Sequence, residues 1–102
     1  MRNLKSKILL LAFGLLASLT VSAQQLKGVV SDESGAPLIG VSVFVEGTTI
    51  GVSTGLDGDY VIDVPEAKGK TLVFSCIGMA TKTVVIADKF EINVTLSEDA
   101  NF

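Results

Sequence analysis

The sequence contains no histidine and no tryptophan, a single cysteine and only two prolines. Without histidine there is no imidazole for a Ser–His or Cys–His nucleophile pair, for an HExxH zinc site or for most transition-metal centres. The lone cysteine, Cys76, cannot form a disulfide within the chain. It shares its strand face with Leu72 and Phe74 in the run 71–77 and reads as a small buried hydrophobe, with no neighbouring base to activate the thiol. Five Phe and one Tyr are too few to supply an exposed aromatic platform of the kind that holds a sugar ring.

Basic charge is also scarce once the chain is divided. The first 23 residues differ in composition from the rest: Arg2, Lys5 and Lys7 precede an apolar run at 8–16, and Val21, Ser22 and Ala23 close the segment with small side chains. This is the pattern of a secretory signal peptide cleaved between Ala23 and Gln24. The apolar run is roughly 10 residues, half of the ~20 that a bilayer span requires, which argues against a membrane anchor. Gln24 stands where a lipoprotein signal needs cysteine. The expected mature chain is a single small domain, exported and without a membrane span. Its eight basic residues, less the three in the leader, leave five against 11 acidic ones, a net charge of −6. Such a surface repels phosphate backbones and excludes nucleic acid as a partner.

What remains is a pattern of short β-runs between glycine-rich turns. Apolar and polar residues alternate at 41–46, where the valines share a face, at 60–64 with Tyr60, Ile62 and Val64, and at 91–96 with Ile92, Val94 and Leu96. Seven strands are expected, at 26–31, 41–46, 50–54, 59–64, 71–77, 79–86 and 91–97, with turn signals at the spacing of an all-β sandwich. Pro37 and Pro65 fall at strand margins, where a missing N–H breaks no ladder. Gly35 and Gly58 occupy turn positions that call for positive φ.

No motif in this frame carries catalytic chemistry. Asp57 and Asp59 flank Gly58, and Asp32 and Glu33 adjoin Gly35, positions that suit turn carboxylates accepting local N–H groups rather than an acid/base pair across a cleft. The Asp57-Gly58-Asp59 loop lacks the further acidic positions of a calcium loop. No helix follows the glycines to make a phosphate cradle. Asn93-Val94-Thr95 matches a glycosylation sequon, but its Asn and Thr read as outward positions of the last strand. No cofactor or metal is expected.

The ordered elements GVVSD (28–32), GAPLIGVSV (35–43), GTTIG (47–51), Thr54, DGDY (57–60), LVFS (72–75), Ile77-Gly78 and INVTL (92–96) resemble the carboxypeptidase-regulatory-like domain. More narrowly, they resemble the N-terminal extension of starch-utilisation-type (SusC-like) TonB-dependent outer-membrane transporters. The resemblance runs from about Leu26 to Asp99 and rests on Gly28, Gly35, Pro37, Gly40, Gly47, Thr48, Gly51, Thr54, Asp57, Gly58, Tyr60, Phe74 and Gly78. It implies a seven-stranded, transthyretin-like Greek-key β-sandwich at 24–99, periplasmic and associated with the outer membrane, ahead of a plug and barrel that import glycans or peptides. It also implies protein partners from the TonB system or the transporter itself, and no peptidase activity. The sequence departs from the pattern at Gly55, Cys76, Met79 and Ala80, which affects turn bonding and the surface near Gly78. Residues 100–102 read as a truncated linker, so the expectation is a piece of a transporter. The alternative is a free-standing secreted binding module for glycan or protein.

Overall fold

Alternation along the chain decides which faces meet. The computed structural model describes residues 24–99; the expected leader, including Ala23, and the linker at 100–102 lie outside the described residues. Seven strands form: β1 (Gln24–Asp32), β2 (Ser42–Val45), β3 (Gly51–Ser53), β4 (Asp59–Val64), β5 (Thr71–Ser75), β6 (Lys82–Val85) and β7 (Val94–Leu96). They make two sheets, one ordered β4-β1-β7 and one ordered β3-β2-β5-β6. β1 runs antiparallel to β4 and parallel to β7, and every pairing in the second sheet is antiparallel. The architecture is the all-β, seven-stranded, two-sheet one that the sequence pattern calls for.

Val41, Val43 and Val45 are buried on one face of the second sheet, with Leu72 and Phe74 of β5 beside them. Leu26, Val30, Tyr60, Ile62, Val64, Val94 and Leu96 line the inner face of the first sheet, and all belong to one core cluster. Burying such side chains contributes roughly 1.5–3 kcal/mol each, the main force holding the sheets face to face. The Tyr60 ring meets Phe74 edge-on across the sandwich, with centroids 5.6 Å apart and planes at 71°. Val73 is buried as well but faces the other way, paired with Phe44 on the outer face of the second sheet. Phe44 in turn lies opposite Gly51, where an added Cβ would sit 3.1 Å from the Phe44 Cβ.

Several strands are shorter than the alternation suggests, because neighbouring segments take the hydrogen bonds. The run at 79–86 becomes strand only from Lys82, since Met79 bridges to Glu98 and the Ala80 N–H donates to Ser97 O at 2.8 Å. The run at 91–97 becomes strand only from Val94. Ahead of it, Lys27 bridges to Glu91, and the Asn93 side-chain Oδ1 accepts the Val29 N–H at 2.9 Å in place of a backbone carbonyl. β5 stops at Ser75, which corrects the reading of Cys76 as a buried strand residue: it lies just past the strand, half-buried against the core.

Successive strands alternate direction, so the connections gather at two ends. Loops 33–41, 54–58 and 76–81 and the segment 97–99 lie at one end, here the Gly58 end. Loops 46–50, 65–70 and 86–93 lie at the other, the Gly69 end.

Candidate functional site

The residues singled out by the sequence collect mainly at the Gly58 end. Asp32, the last residue of β1, organises the first loop: its Oδ1 accepts the Ser34 hydroxyl at 2.6 Å and the Ser34 and Ala36 N–H groups at 2.9 and 3.0 Å. These bonds, the Ser34 hydroxyl first, hold the Asp32 carboxyl below the usual carboxylate range. Gly35 completes this turn at φ 88°. Pro37 is exposed and bridges to Ser31, a margin position at which its missing N–H costs nothing.

Thr54 then clamps the first loop to the second. It is the one buried polar residue of the described set; its hydroxyl donates to Leu38 O at 2.6 Å and accepts the Val41 N–H at 2.9 Å. The backbone repeats the link, with the Gly40 N–H donating to Thr54 O at 3.0 Å. Gly40 is at φ 75°. Gly58 lies beneath both loops: at φ 73°, an added Cβ would come 2.4 Å from Val30 O and 3.1 Å from the Pro37 Cβ. Only glycine satisfies both the conformation and the approach. Asp57 is exposed at the tip, and the turn closes despite Gly55, whose carbonyl accepts the Gly58 N–H at 3.0 Å. Gly78, at φ 82°, turns the third loop and accepts the Asp99 N–H at 3.1 Å.

The remaining positions lie elsewhere. Gly28 is mid-strand, where an added Cβ would sit 1.9 Å from Ile92 O. That close approach lets the Tyr60 hydroxyl reach the same carbonyl, donating at 2.6 Å. Burial pushes the Tyr60 phenol up to about 12. Gly47 and Thr48 shape the β2–β3 hairpin at the Gly69 end; the Thr48 hydroxyl donates to Val45 O at 2.9 Å and accepts the Ile50 N–H at 3.1 Å. Phe74 is fully buried. Gln24 begins β1, and its Oε1 accepts the Ala67 N–H at 3.1 Å.

These partners are chain-internal and structural. Among the described residues no cluster of three or more His, Cys, Asp or Glu is placed to hold a metal ion, and no helix is long and apolar enough to cross a membrane. An open groove of about 490 Å³ runs between the β6 edge and the segment 87–93, lined by Val84, Val85, Ala87 and Ile92 among others. β6 itself pairs only with β5 among the described strands. The bond that Asn93 accepts from Val29 and the groove are features that sequence reasoning missed; both depend on contacts between segments far apart in the chain.

Residues 26–102 match the model of the CarboxypepD_reg-like domain. The chain belongs to this family. It is 36% identical over 94 residues to the TonB-dependent receptor SusC of Bacteroides thetaiotaomicron, a match covering 90% of the chain and 9% of that receptor. It is 35% identical over 102 residues to the TonB-dependent receptor P3 of Formosa agariphila, covering 97% of the chain and 10% of the receptor. The chain thus spans about a tenth of the length of these relatives. Among solved structures, it resembles a chain in the crystal structure of a type II cohesin–X–dockerin complex from Acetivibrio cellulolyticus. There the TM-score is 0.57 and the identity 21%, over 72% of this chain and 56% of that chain, a likeness of fold alone. As a CarboxypepD_reg-like domain related to TonB-dependent receptors, the chain is a receptor-like accessory β-sandwich.

Proposed function

We propose that this domain is a non-catalytic periplasmic module of a TonB-dependent nutrient transporter and works by contact with protein. The observation that carries this is the match to receptors over nearly the whole chain while the chain covers only a tenth of them. It goes with a sandwich whose marked residues build turns rather than a reactive centre. On this reading the leader ends at Ala23, Gln24 opens the mature domain, and glycan or peptide selection belongs to a plug and barrel outside residues 24–99.

A free-standing glycan-binding module is less well supported. Among the described residues Tyr60 and Phe74 are buried in the core, and Phe44 and Phe90 are half-buried, which leaves little aromatic surface there for stacking on a sugar. The two readings separate by affinity capture with the exported chain as bait, run against the periplasmic domain of TonB and transporter components, alongside a glycan array. Retention of a protein component is the expected result. Glycan binding with no protein partner would overturn the proposal.

A further inference from the structure

Among the described residues, six large hydrophobic side chains are exposed, and three of them, Ile39 (59%), Leu56 (81%) and Ile77 (102%), stand one on each loop of the Gly58 end. The other three, Val29, Val61 and Val85, are on strands, and the described loops of the Gly69 end have none. The backbone that presents the three tips is fixed. Thr54 and Gly40 tie the first two loops together, and the Asp99 N–H to Gly78 O bond ties the third to the segment after β7. A cavity of about 440 Å³ is shared by Asp32 at the end of β1, Glu33 and Leu38 of the first loop, Met79 of the third, and Leu96 and Glu98. Three apolar side chains held outward on one end, with no part in the core, are surface that folding does not explain.

Among the described residues the charge around them is predominantly acidic, with Lys82 as the one cation at the edge. The loops and tail of this end carry Glu33, Asp57, Glu98 and Asp99, with Asp32 at the strand end, and no lysine or arginine; Lys82, at the start of β6, is the nearest in sequence. The Gly69 end is mixed: Lys68, Lys70 and Lys89 offset Glu46, Glu66, Asp88 and Glu91, and Lys68 pairs with Asp88 at 2.9 Å.

We propose that the Gly58 end is a docking face for an extended segment of a partner protein in which apolar side chains are interspersed with lysine or arginine. This rests on the reading of the domain as a protein-contact module and adds the surface and the chemistry of its occupant. Apolar tips supply the burial and the acidic rim selects and steers a basic partner. The competing surfaces carry no such selection: Val29 and Val61 lie among Lys27, Asp59 and Asp63, and the β6 edge groove mixes Asp88, Lys89 and Glu91.

The test is an amide-shift titration of the whole exported chain with a short peptide of alternating Lys and Leu, with its Glu–Leu counterpart as control. Expected are shifts confined to 33–41, 54–58, 76–81 and 97–99, weakening with added salt, and no response to the acidic peptide. A Leu56→Ser/Ile77→Ser variant, altered only at exposed positions, should bind about tenfold or more weakly, whereas Val61→Ser should bind unchanged. The proposal is overturned by shifts that map to β6 or the outer face of β1 and β4, by equal binding of the acidic peptide, by an unaffected double variant, or by no shifts at millimolar peptide. Each of those results leaves the protein-contact reading to its own capture experiment.

Discussion

The two ends of this sandwich solve the same problem differently. At the Gly69 end the connecting loops turn their apolar side chains inward: Ala67 and Ile86 are buried, and Ile50, Phe90 and Ile92 pack against the core. Their charges are of both signs. At the Gly58 end Val41 is buried and Leu38, Cys76 and Met79 also pack against the core, but closure adds polar and steric devices: the Asp32 turn, the Thr54 clamp and the Gly58 approach. With the loops held in this way, Ile39, Leu56 and Ile77 are left facing outward. The contrast teaches that apolar content in a loop does not by itself report on stability. What matters is whether the backbone beneath is already held by something else, which frees the side chain for contact.

The sharpest way to break this comparison is to make the same truncation at both ends. Ile86 is 1% exposed, and its carbonyl accepts the Gly69 N–H at 2.7 Å, so Ile86→Ala should cost about 2–5 kcal/mol. Ile77→Ala removes the same atoms from a fully exposed position and should change stability by less than about 0.5 kcal/mol. Urea unfolding of both variants checks this. Comparable losses would mean that Ile77 belongs to the core and would remove the distinction between the ends.

The glycines give a second contrast. Gly69 has φ +90° with nothing within 4 Å of an added Cβ, so Gly69→Ala should carry only the conformational penalty of about 1–2 kcal/mol. Gly58→Ala carries that penalty and a clash with Val30 O, and should cost about 3 kcal/mol or more. Equal melting temperatures for the two variants would show that the β1 backbone can move aside, and that the Gly58 end is less fixed than its bonding implies.

Much of this frame was legible in the sequence. The alternation of Val41, Val43 and Val45 and of Tyr60, Ile62 and Val64 named the inner faces, because period two leaves one solution when one face is buried. Gly35 and Gly58 were readable as positive-φ turn residues from their Asp and Ser neighbours. Thr54 carried a weaker signal. A threonine after a β-run reads as ordinary strand end, and its clamp on Leu38 and Val41 becomes visible only when the loops are folded together. The strand limits at Lys82 and Val94 were not readable at all, since they depend on Met79 meeting Glu98 and on Asn93 meeting Val29. The exposure of Leu56 and Ile77 was equally hidden, because composition cannot say which way a loop side chain turns.

The smallest effect expected is also the most specific to the Gly58 end. Hydrogen bonds from the Ser34 hydroxyl and the Ala36 N–H favour the ionised form of Asp32, so its folded pKa lies below the unfolded value near 3.8. The folded state therefore binds this proton less readily than the unfolded chain. The stabilisation is present above about pH 4 and is lost as pH falls through the folded value. Asp32 is only partly buried, at the end of β1, so solvent screening keeps the contribution small. Melting curves for the wild type and Asp32→Ala should differ at neutral pH and converge on acidification. Curves that stay parallel down to acid pH would show that the carboxylate does not organise this loop, and that the end is held by Thr54 and Gly58 alone.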